Sequence, residues 1–319
     1  MIDEFQTSRR QNTGYGRVAL IGCRFTSAAD VYALLSGGFV REALLIGDGR
    51  EKLLKELNDL QRFVPPPSTA RVRCGEISET AGFDIAIIGV GSYADEGETR
   101  LHLIGRNSAE AIAAVEQLQA AGFDGVIVIS TEPVDVIAQL AQERTGYNAA
   151  KLIGIGTYPP DSDFENLAGT EAVRPVAHWC TASPFGPQYF DNCEPGCPRF
   201  AGVMRARVFG GESVSPAARL QADSLATCIT KICEAVLCDG REVLPISTIA
   251  AGEYGLSGVY MTLPAVVGRN GVEQIIQMPM DEGNLEALHK SADLHKQATV
   301  ELAKYGQRIN PATPAGGEQ

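Results

Sequence analysis

The sequence has no excess of positive charge. Its 319 residues include 27 lysines and arginines against 39 aspartates and glutamates, so the net charge at pH 7 is −12. Nucleic acids and anionic membrane surfaces are bound through basic patches, and this balance argues against both kinds of partner. Long apolar runs are also missing, and the N-terminus lacks the charged-then-apolar pattern of a signal peptide. We therefore expect a cytoplasmic protein that binds neither nucleic acid nor membrane.

Cysteine is sparse as well. Eight cysteines in a chain of this length are too few for a disulfide scaffold, and in a reducing cytosol most are expected to be buried thiols. Cys228, Cys233 and Cys238 recur every five residues, so on a helix they would face different sides. We expect these three to fill the core of a globular protein.

A regular alternation of strand and helix patterns occupies the first half of the chain. Short apolar runs lie at 17–21, 42–46, 83–91 and 125–129, with helical patterns between them. Such alternation is typical of a doubly wound, Rossmann-type parallel sheet in the α/β class, predicted here over residues 15–152.

The pattern loosens after residue 152, and a second domain is predicted over 153–306. Strand candidates lie at 173–180, 200–209, 243–248 and 260–268, and helices at 217–238 and 285–305. An Asn270-Gly271 pair between β runs predicts a hairpin. The polar or Pro/Gly-rich ends, 1–14 and 307–319, are predicted to be flexible tails.

The turn after the first strand departs from the phosphate-binding pattern. A pyrophosphate-binding turn reads G-x-G-x-x-G, whereas this one reads Gly22-x-Arg24-x-x-Ser27. The second glycine normally lets backbone N–H groups approach the phosphates, and Arg24 places a long side chain there. Arg24 either captures an anion at the helix N-terminus or fills a vacated groove, pairing with Asp48 or Glu132.

The second strand ends without its expected acid. In an NAD site this strand ends on an acidic residue that binds the adenosine ribose. Here that position is Gly47, and Asp48 follows one residue late. Because alternate strand residues face opposite ways, Asp48 recovers the contact only if the turn reshapes. Together these changes favour an empty groove with no bound cofactor.

Several stretches, in order, resemble the lactate/malate dehydrogenase family. The matching segments are Gly97-Glu98-Thr99-Arg100-Leu101 (the mobile active-site loop), Glu132-Pro133-Val134-Asp135 (Asn-Pro-Val-Asp in the family), Gly252-Glu253-Tyr254-Gly255-Leu256 and 266–273. The resemblance spans about Arg17 to Ala303. It implies an α+β C-terminal domain, hydride transfer between NAD(H) and a 2-hydroxy or 2-keto acid, and a homodimer or homotetramer.

Only part of the family's substrate machinery is retained. Arg100 matches the loop arginine that polarises the substrate carbonyl, but Glu132 stands where the family has asparagine. In the family's Leu-Asp-x-x-Arg motif, Pro160 occupies the Asp position and Asp163 the Arg position. Asp161 would supply the acid only after a one-residue slip. The clamp for the substrate carboxylate would then carry the wrong charge.

The family's catalytic histidine is replaced by Ser183. A serine with no activating base cannot act as an acid–base group near neutral pH. His178 lies five residues earlier, and on a strand this odd spacing would turn it to the opposite face.

A cluster of metal-binding residue types lies near these losses. The side chains suit tetrahedral zinc, or a redox pair, and belong to His178, Cys180, Cys193 and Cys197. The segment lacks the second pair of closely spaced cysteines that zinc knuckles usually have. Unliganded thiols are the expected state.

These observations predict a lactate/malate dehydrogenase-like protein that has lost ordinary NAD-dependent activity and has a binding, regulatory or structural role, with no protein partner identified. The alternative is an NAD-dependent oxidoreductase that acts on a lactate- or malate-like 2-hydroxy acid, or on another substrate, through altered residues.

Overall fold

The computed structural model describes residues 16–22, 28–63, 70–91, 100–155, 179–183, 186–190, 228–277 and 282–309. Its first half contains six parallel strands. They are β1 (Gly16–Ile21), β2 (Val40–Ile46), β3 (Arg71–Cys74), β4 (Ile85–Ile88), β5 (Val126–Ile129) and β6 (Leu152–Ile155). Their spatial order is β3-β2-β1-β4-β5-β6. The chain order reverses between β1 and β4, so the predicted doubly wound sheet is confirmed.

Burial explains why these strands are continuously apolar. Every residue of β4, β5 and β6 is buried, as expected where helices cover both faces of a parallel sheet. The covering helices in this half are α1 (Ala28–Ser36), α2 (Arg50–Phe63), α3 (Arg100–Ala120) and α4 (Val134–Thr145).

Helix α3 begins at Arg100. Ile104, in its first turns, is buried in a cluster with Val136 and Leu140 of α4. Tertiary packing therefore stabilises the first turns of this helix.

The sheet continues into the second half of the chain. Strands β9 (Glu242–Ala251), β10 (Ser257–Gly268) and β11 (Gly271–Ile275) extend it antiparallel beyond β6. The two halves join where Gly154 of β6 pairs with Ser247 of β9. The predicted Asn270-Gly271 turn joins β10 to β11 and is confirmed.

The remaining described elements are a hairpin and two helices. Strands β7 (Trp179–Ser183) and β8 (Gly186–Phe190) pair antiparallel, helix α5 covers 228–237, and α6 covers Glu282–Ile309. The strand predicted at 173–180 is thus described only from Trp179 and continues to Ser183, and α6 runs three residues into the predicted tail. The strand predicted at 200–209 lies outside the described residues, as does the first half, 217–227, of the helix predicted at 217–238.

The three cysteines in and directly after α5 are packed as predicted. Cys228 and Cys233 are buried and Cys238 is partly buried against the core. Burial raises the pKa of the Cys233 thiol far above its ordinary value, which keeps this thiol protonated and unreactive. In the part of the chain that the structure describes, no helix is long and apolar enough to span a bilayer.

Candidate nucleotide cleft

A cleft of about 730 Å³ opens where β1, β2 and β4 end. In doubly wound folds ligands bind at this edge, at the point where strand order reverses. Its described lining consists of Ile21, Gly22, Ile46, Gly47, Asp48, Glu76, Ile77, Ser78, Val90, Gly91, Glu110 and Gln117. None of these described lining residues is basic, and three are carboxylates.

Gly22 is required by the backbone at the end of β1. Its φ is +98°, and a Cβ at this position would lie 2.3 Å from the carbonyl oxygen of Gly89. The Gly22 N–H donates a hydrogen bond of 3.0 Å to the carbonyl oxygen of Ile46. Gly22 therefore allows β1 and β4 to approach closely beside the cleft and makes the tight turn that the first glycine of a nucleotide-binding motif provides.

Asp48 reaches the cleft although it lies one residue late. Gly47 and Gly49 on either side have φ values of +108° and +83°, conformations that residues with a Cβ rarely adopt. The exposed Asp48 lines the cleft in this reshaped turn. The turn is thus reshaped in the way that recovery of the acid position requires.

An ion-pair network fixes the rim of the cleft after β3. The Arg50 guanidinium lies 3.1 Å from Glu51 and 2.8 Å from Glu76, and it donates to the carbonyl oxygen of Gly75 at 3.1 Å. The hydrogen bonds that Arg50 donates to Glu51 and Glu76 raise the pKa of its guanidinium. The charge of Glu76 is thereby compensated, which leaves Asp48 and Glu110 as the other carboxylates of the described lining.

No motif in the sequence pointed to Arg50, Glu76 or Glu110. Glu76 follows β3, so the rule that parallel strands place their carboxyl ends at one edge is a signal that could have found it. Glu110 lies inside α3, and only the packing of that helix beside the cleft reveals its position.

Side chains after β5 fix the floor of the cleft. The Thr131 hydroxyl donates to the carbonyl oxygen of Val90 at 2.7 Å, and the Ser130 hydroxyl donates to that of Ile88 at 3.1 Å. Gly91 has a φ of +130°, and a Cβ there would lie 2.9 Å from the amide carbon of the buried Asn107. The carboxyl ends of β4 and β5 and helix α3 are thus held together.

Glu132 follows directly on this floor. Its side chain is exposed, its peptide bond to Pro133 is cis, and α4 begins at Val134. A carboxylate therefore lies next in the chain to Thr131, which holds the cleft-lining Val90, at a position where the family resemblance implies an uncharged amide. Glu132 is not itself among the described lining residues, and we call its position the edge of the cleft.

Other predicted site residues lie beyond what the structure describes. They are Arg24, Ser27, Pro160, Asp161, Asp163, His178, Cys193 and Cys197. Arg100 is the first residue of α3, Ser183 pairs with Gly186 across the β7–β8 hairpin, and Cys180 pairs with Tyr189. Within the described ranges no three His, Cys, Asp or Glu side chains could hold a metal ion. The proposed zinc or redox cluster stays a prediction, as does the domain boundary at 152/153.

The switch-point cleft, the glycine at the end of β1 and the acid after β2 define a dinucleotide-binding fold of the α/β class. Comparison with known proteins identifies the family. Residues 16–154 match the lactate/malate dehydrogenase NAD binding domain, and residues 210–304 match the lactate/malate dehydrogenase alpha/beta C-terminal domain. The chain belongs to the lactate/malate dehydrogenase family, as the sequence motifs predicted.

Similar proteins span nearly the whole chain. L-lactate dehydrogenase 1 of Clostridium acetobutylicum is 26% identical over 305 residues, which cover 88% of this chain and 97% of that protein. The L-lactate dehydrogenase of Limosilactobacillus reuteri is 28% identical over 318 residues, with 91% and 96% coverage.

Solved structures show the same fold. A lactate dehydrogenase from a Medee basin deep-sea metagenome library superposes with a TM-score of 0.72 at 22% identity, covering 91% of this chain and 99% of that one. Malate dehydrogenase of Cryptosporidium parvum gives 0.71 at 18% identity, with 91% and 100% coverage. The overall architecture is therefore that of the family.

Proposed function

We propose that this protein binds an adenine dinucleotide of the NAD(H) class in the cleft and has lost the family's standard hydride transfer to and from 2-hydroxy acids. The observation that carries the proposal is the exposed carboxylate of Glu132, next in the chain to Thr131 at the edge of a cleft that is lined by Gly22 and Asp48. The role that remains is binding, regulatory or structural.

The adenosine end of the cleft fits the cofactor. Gly22 keeps the first glycine of the phosphate-binding turn, and Asp48 provides an acceptor for the ribose hydroxyls. When bound, the nicotinamide cofactor supplies or accepts the hydride, while protein groups bind and orient. The expectation of an empty groove rested on Arg24 at the second glycine position and on the one-residue offset of Asp48. The presence of Asp48 in the cleft lining supports cofactor binding instead.

The substrate end does not fit a 2-hydroxy or 2-keto acid. Like charges about 4 Å apart near a protein surface repel by about 1–4 kcal/mol, so Glu132 disfavours a carboxylate substrate. The residue types at the clamp and proton-donor positions, Asp163 and Ser183, supply neither the cation nor the acid–base group that the reaction needs.

The assembly follows from the family resemblance. We propose a homodimer or homotetramer in the cytoplasm, since homo-oligomers with closed symmetry are the usual form of soluble assemblies. Sedimentation of the purified chain tests this directly, and a monomer at micromolar concentration would contradict it.

Two measurements on the purified full chain test the function. Titration with NADH, followed by its fluorescence, is expected to saturate, and incubation with NADH plus pyruvate or oxaloacetate is expected to give no oxidation above buffer. Steady turnover of either acid would overturn the loss of activity. Failure of NADH to bind would overturn the cofactor assignment and restore the empty-groove interpretation.

A second candidate is NAD-dependent reduction of a carbonyl compound that lacks a carboxylate. Arg100 favours it, because the loop arginine begins α3, the helix that also lines the cleft through Glu110 and Gln117. A panel of neutral aldehydes and ketones with NADH tests this candidate. Turnover that disappears in Arg100→Gln would support it, and absence of turnover across the panel would exclude it for those classes.

A further inference from the structure

We infer that His295 is a positioning residue for the edge of the cleft: it packs against Asp135 and thereby ties the C-terminal helix α6 to the segment that carries Glu132. The ligand-binding part of this inference rests on the proposed function. The positioning part does not.

The central contact joins two fully buried side chains. Nε2 of His295 lies 3.8 Å from Oδ2 of Asp135, and neither side chain is exposed to solvent. The hydroxyl of Thr262 on β10 donates to Oδ1 of Asp135 at 3.1 Å. Three elements, α4, β10 and α6, therefore meet at one carboxylate.

A wider group of buried polar residues surrounds this contact. Gln139, one turn after Asp135, accepts a hydrogen bond from the backbone N–H of Tyr260 at 3.2 Å. On α6, Ser291, His295 and Thr299 are all buried and recur every four residues, so they share one face of the helix. We call Asp135, Gln139, Thr262, Ser291, His295 and Thr299 the polar seam.

Such a seam specifies one alignment of the helices. An apolar contact tolerates small sliding, but a buried polar group that loses its partner is costly, so α6 cannot shift along α4 without separating His295 from Asp135. The apolar contact of Leu302 with Val136 and Leu140 continues the same interface toward the end of α6.

Asp135 is close in the chain to the edge of the cleft. It lies three residues after Glu132 and four after Thr131, whose hydroxyl holds the carbonyl of Val90 in the cleft wall. Displacement of Asp135 would therefore move the segment that supports the floor of the cleft. The seam couples the docking of the C-terminal helix to the shape of the ligand site.

Hydrogen exchange of His295→Gln tests the positioning, with His289→Gln as the matched control. His289 lies on the same helix but is exposed and contacts the carbonyl oxygen of Tyr254 at 2.7 Å. In His295→Gln, amides of both α6 and α4 are expected to exchange at least threefold faster, and NADH is expected to bind severalfold more weakly. In His289→Gln, α4 exchange and NADH affinity are expected to stay at wild-type values.

Two further variants keep the test decisive. Thr262→Val removes the donor to Asp135 with little change of volume, so it remains informative if His295→Gln does not fold, and it should accelerate exchange of α4. The double variant Asp135→Asn/His295→Gln should lose less free energy of unfolding than the two single variants lose together. Each single substitution already breaks the contact between the two side chains.

The outcomes separate the two proposals. Faster exchange confined to α6, or additive single variants, would overturn the positioning role. Absence of NADH binding in the wild-type chain would overturn the proposed function while the exchange measurement still decides the role of His295.

Discussion

The backbones of Gly22 and Gly89 approach so closely that a Cβ on Gly22 would lie 2.3 Å from the carbonyl oxygen of Gly89. This contact joins the ends of β1 and β4, on either side of the point where the strand order reverses. The cleft exists because neither strand end is pushed away by a side chain there.

Gly22→Ala is therefore expected to damage both stability and binding. The substitution places a methyl group against backbone at a φ of +98°, and such strain costs about 1–3 kcal/mol. Urea denaturation should show this loss, and NADH titration should show weaker binding. The control is Gly122→Ala, a glycine with a φ of +78° and open space around its Cβ position, which shares the backbone strain without the collision. Equal NADH affinity in the two variants would contradict the assigned role of Gly22.

Asp48→Asn is expected to weaken NADH binding about tenfold. A hydrogen bond to a charged group contributes about 1.5–3 kcal/mol, and the amide keeps only part of that contribution for a ribose hydroxyl. Asp124→Asn is the matched control, because Asp124 is also exposed but precedes β5, at the opposite edge of the sheet. Unchanged affinity in Asp48→Asn would show that Asp48 does not contact the ligand.

Asp48 also illustrates what sequence reasoning could and could not provide. The strand–helix alternation of the first half predicted the parallel sheet because buried strands must be apolar on both faces. The position of Asp48 depended instead on the positive φ values of Gly47 and Gly49, which a register argument does not include.

The connection between the two halves could not be predicted from the sequence either. Pairing of Gly154 with Ser247 joins strands more than ninety positions apart, and neither local propensity nor periodicity encodes such a pairing. The ion pair of Arg50 with Glu76 is a further example, since it joins a helix start to a loop with no regular pattern. Elements were predictable from local sequence, whereas the contacts between their ends were not.

Alkaline conditions are expected to destabilise the fold through Tyr260. Its buried hydroxyl donates to the carbonyl oxygen of Leu152 at 3.0 Å, and burial raises the pKa of this phenol far above its ordinary value. The unfolded chain releases this proton near pH 10, whereas the folded chain retains it. The stabilisation that comes from the raised pKa of Tyr260 is therefore fully present below pH 10. Above pH 10 it is lost at up to about 1.4 kcal/mol per pH unit.

Urea denaturation between pH 8 and 11 measures this dependence. Tyr260→Phe should lower stability by about 1 kcal/mol at pH 8, because the hydrogen bond is lost. It should also reduce the steepness of the alkaline decline. Tyr32→Phe, on α1, is the control that leaves the contact with Leu152 intact. An alkaline decline as steep in Tyr260→Phe as in the wild type would rule out Tyr260 as its source.

Glu132→Gln tests whether charge at the edge of the cleft excludes acid substrates. Removing the carboxylate eliminates a repulsion of about 1–4 kcal/mol at close range, so pyruvate should bind the NADH complex at least several times more tightly than it binds the wild-type complex. Pyruvate-dependent change in the fluorescence of bound NADH measures this affinity. Turnover should remain absent, because the substitution restores neither a cation at position 163 nor an acid–base group at position 183.

Glu110→Gln is the control, because it removes a carboxylate of the cleft lining. It should leave pyruvate affinity nearly unchanged. Identical pyruvate affinity in Glu132→Gln and the wild type would show that repulsion by Glu132 does not decide substrate exclusion.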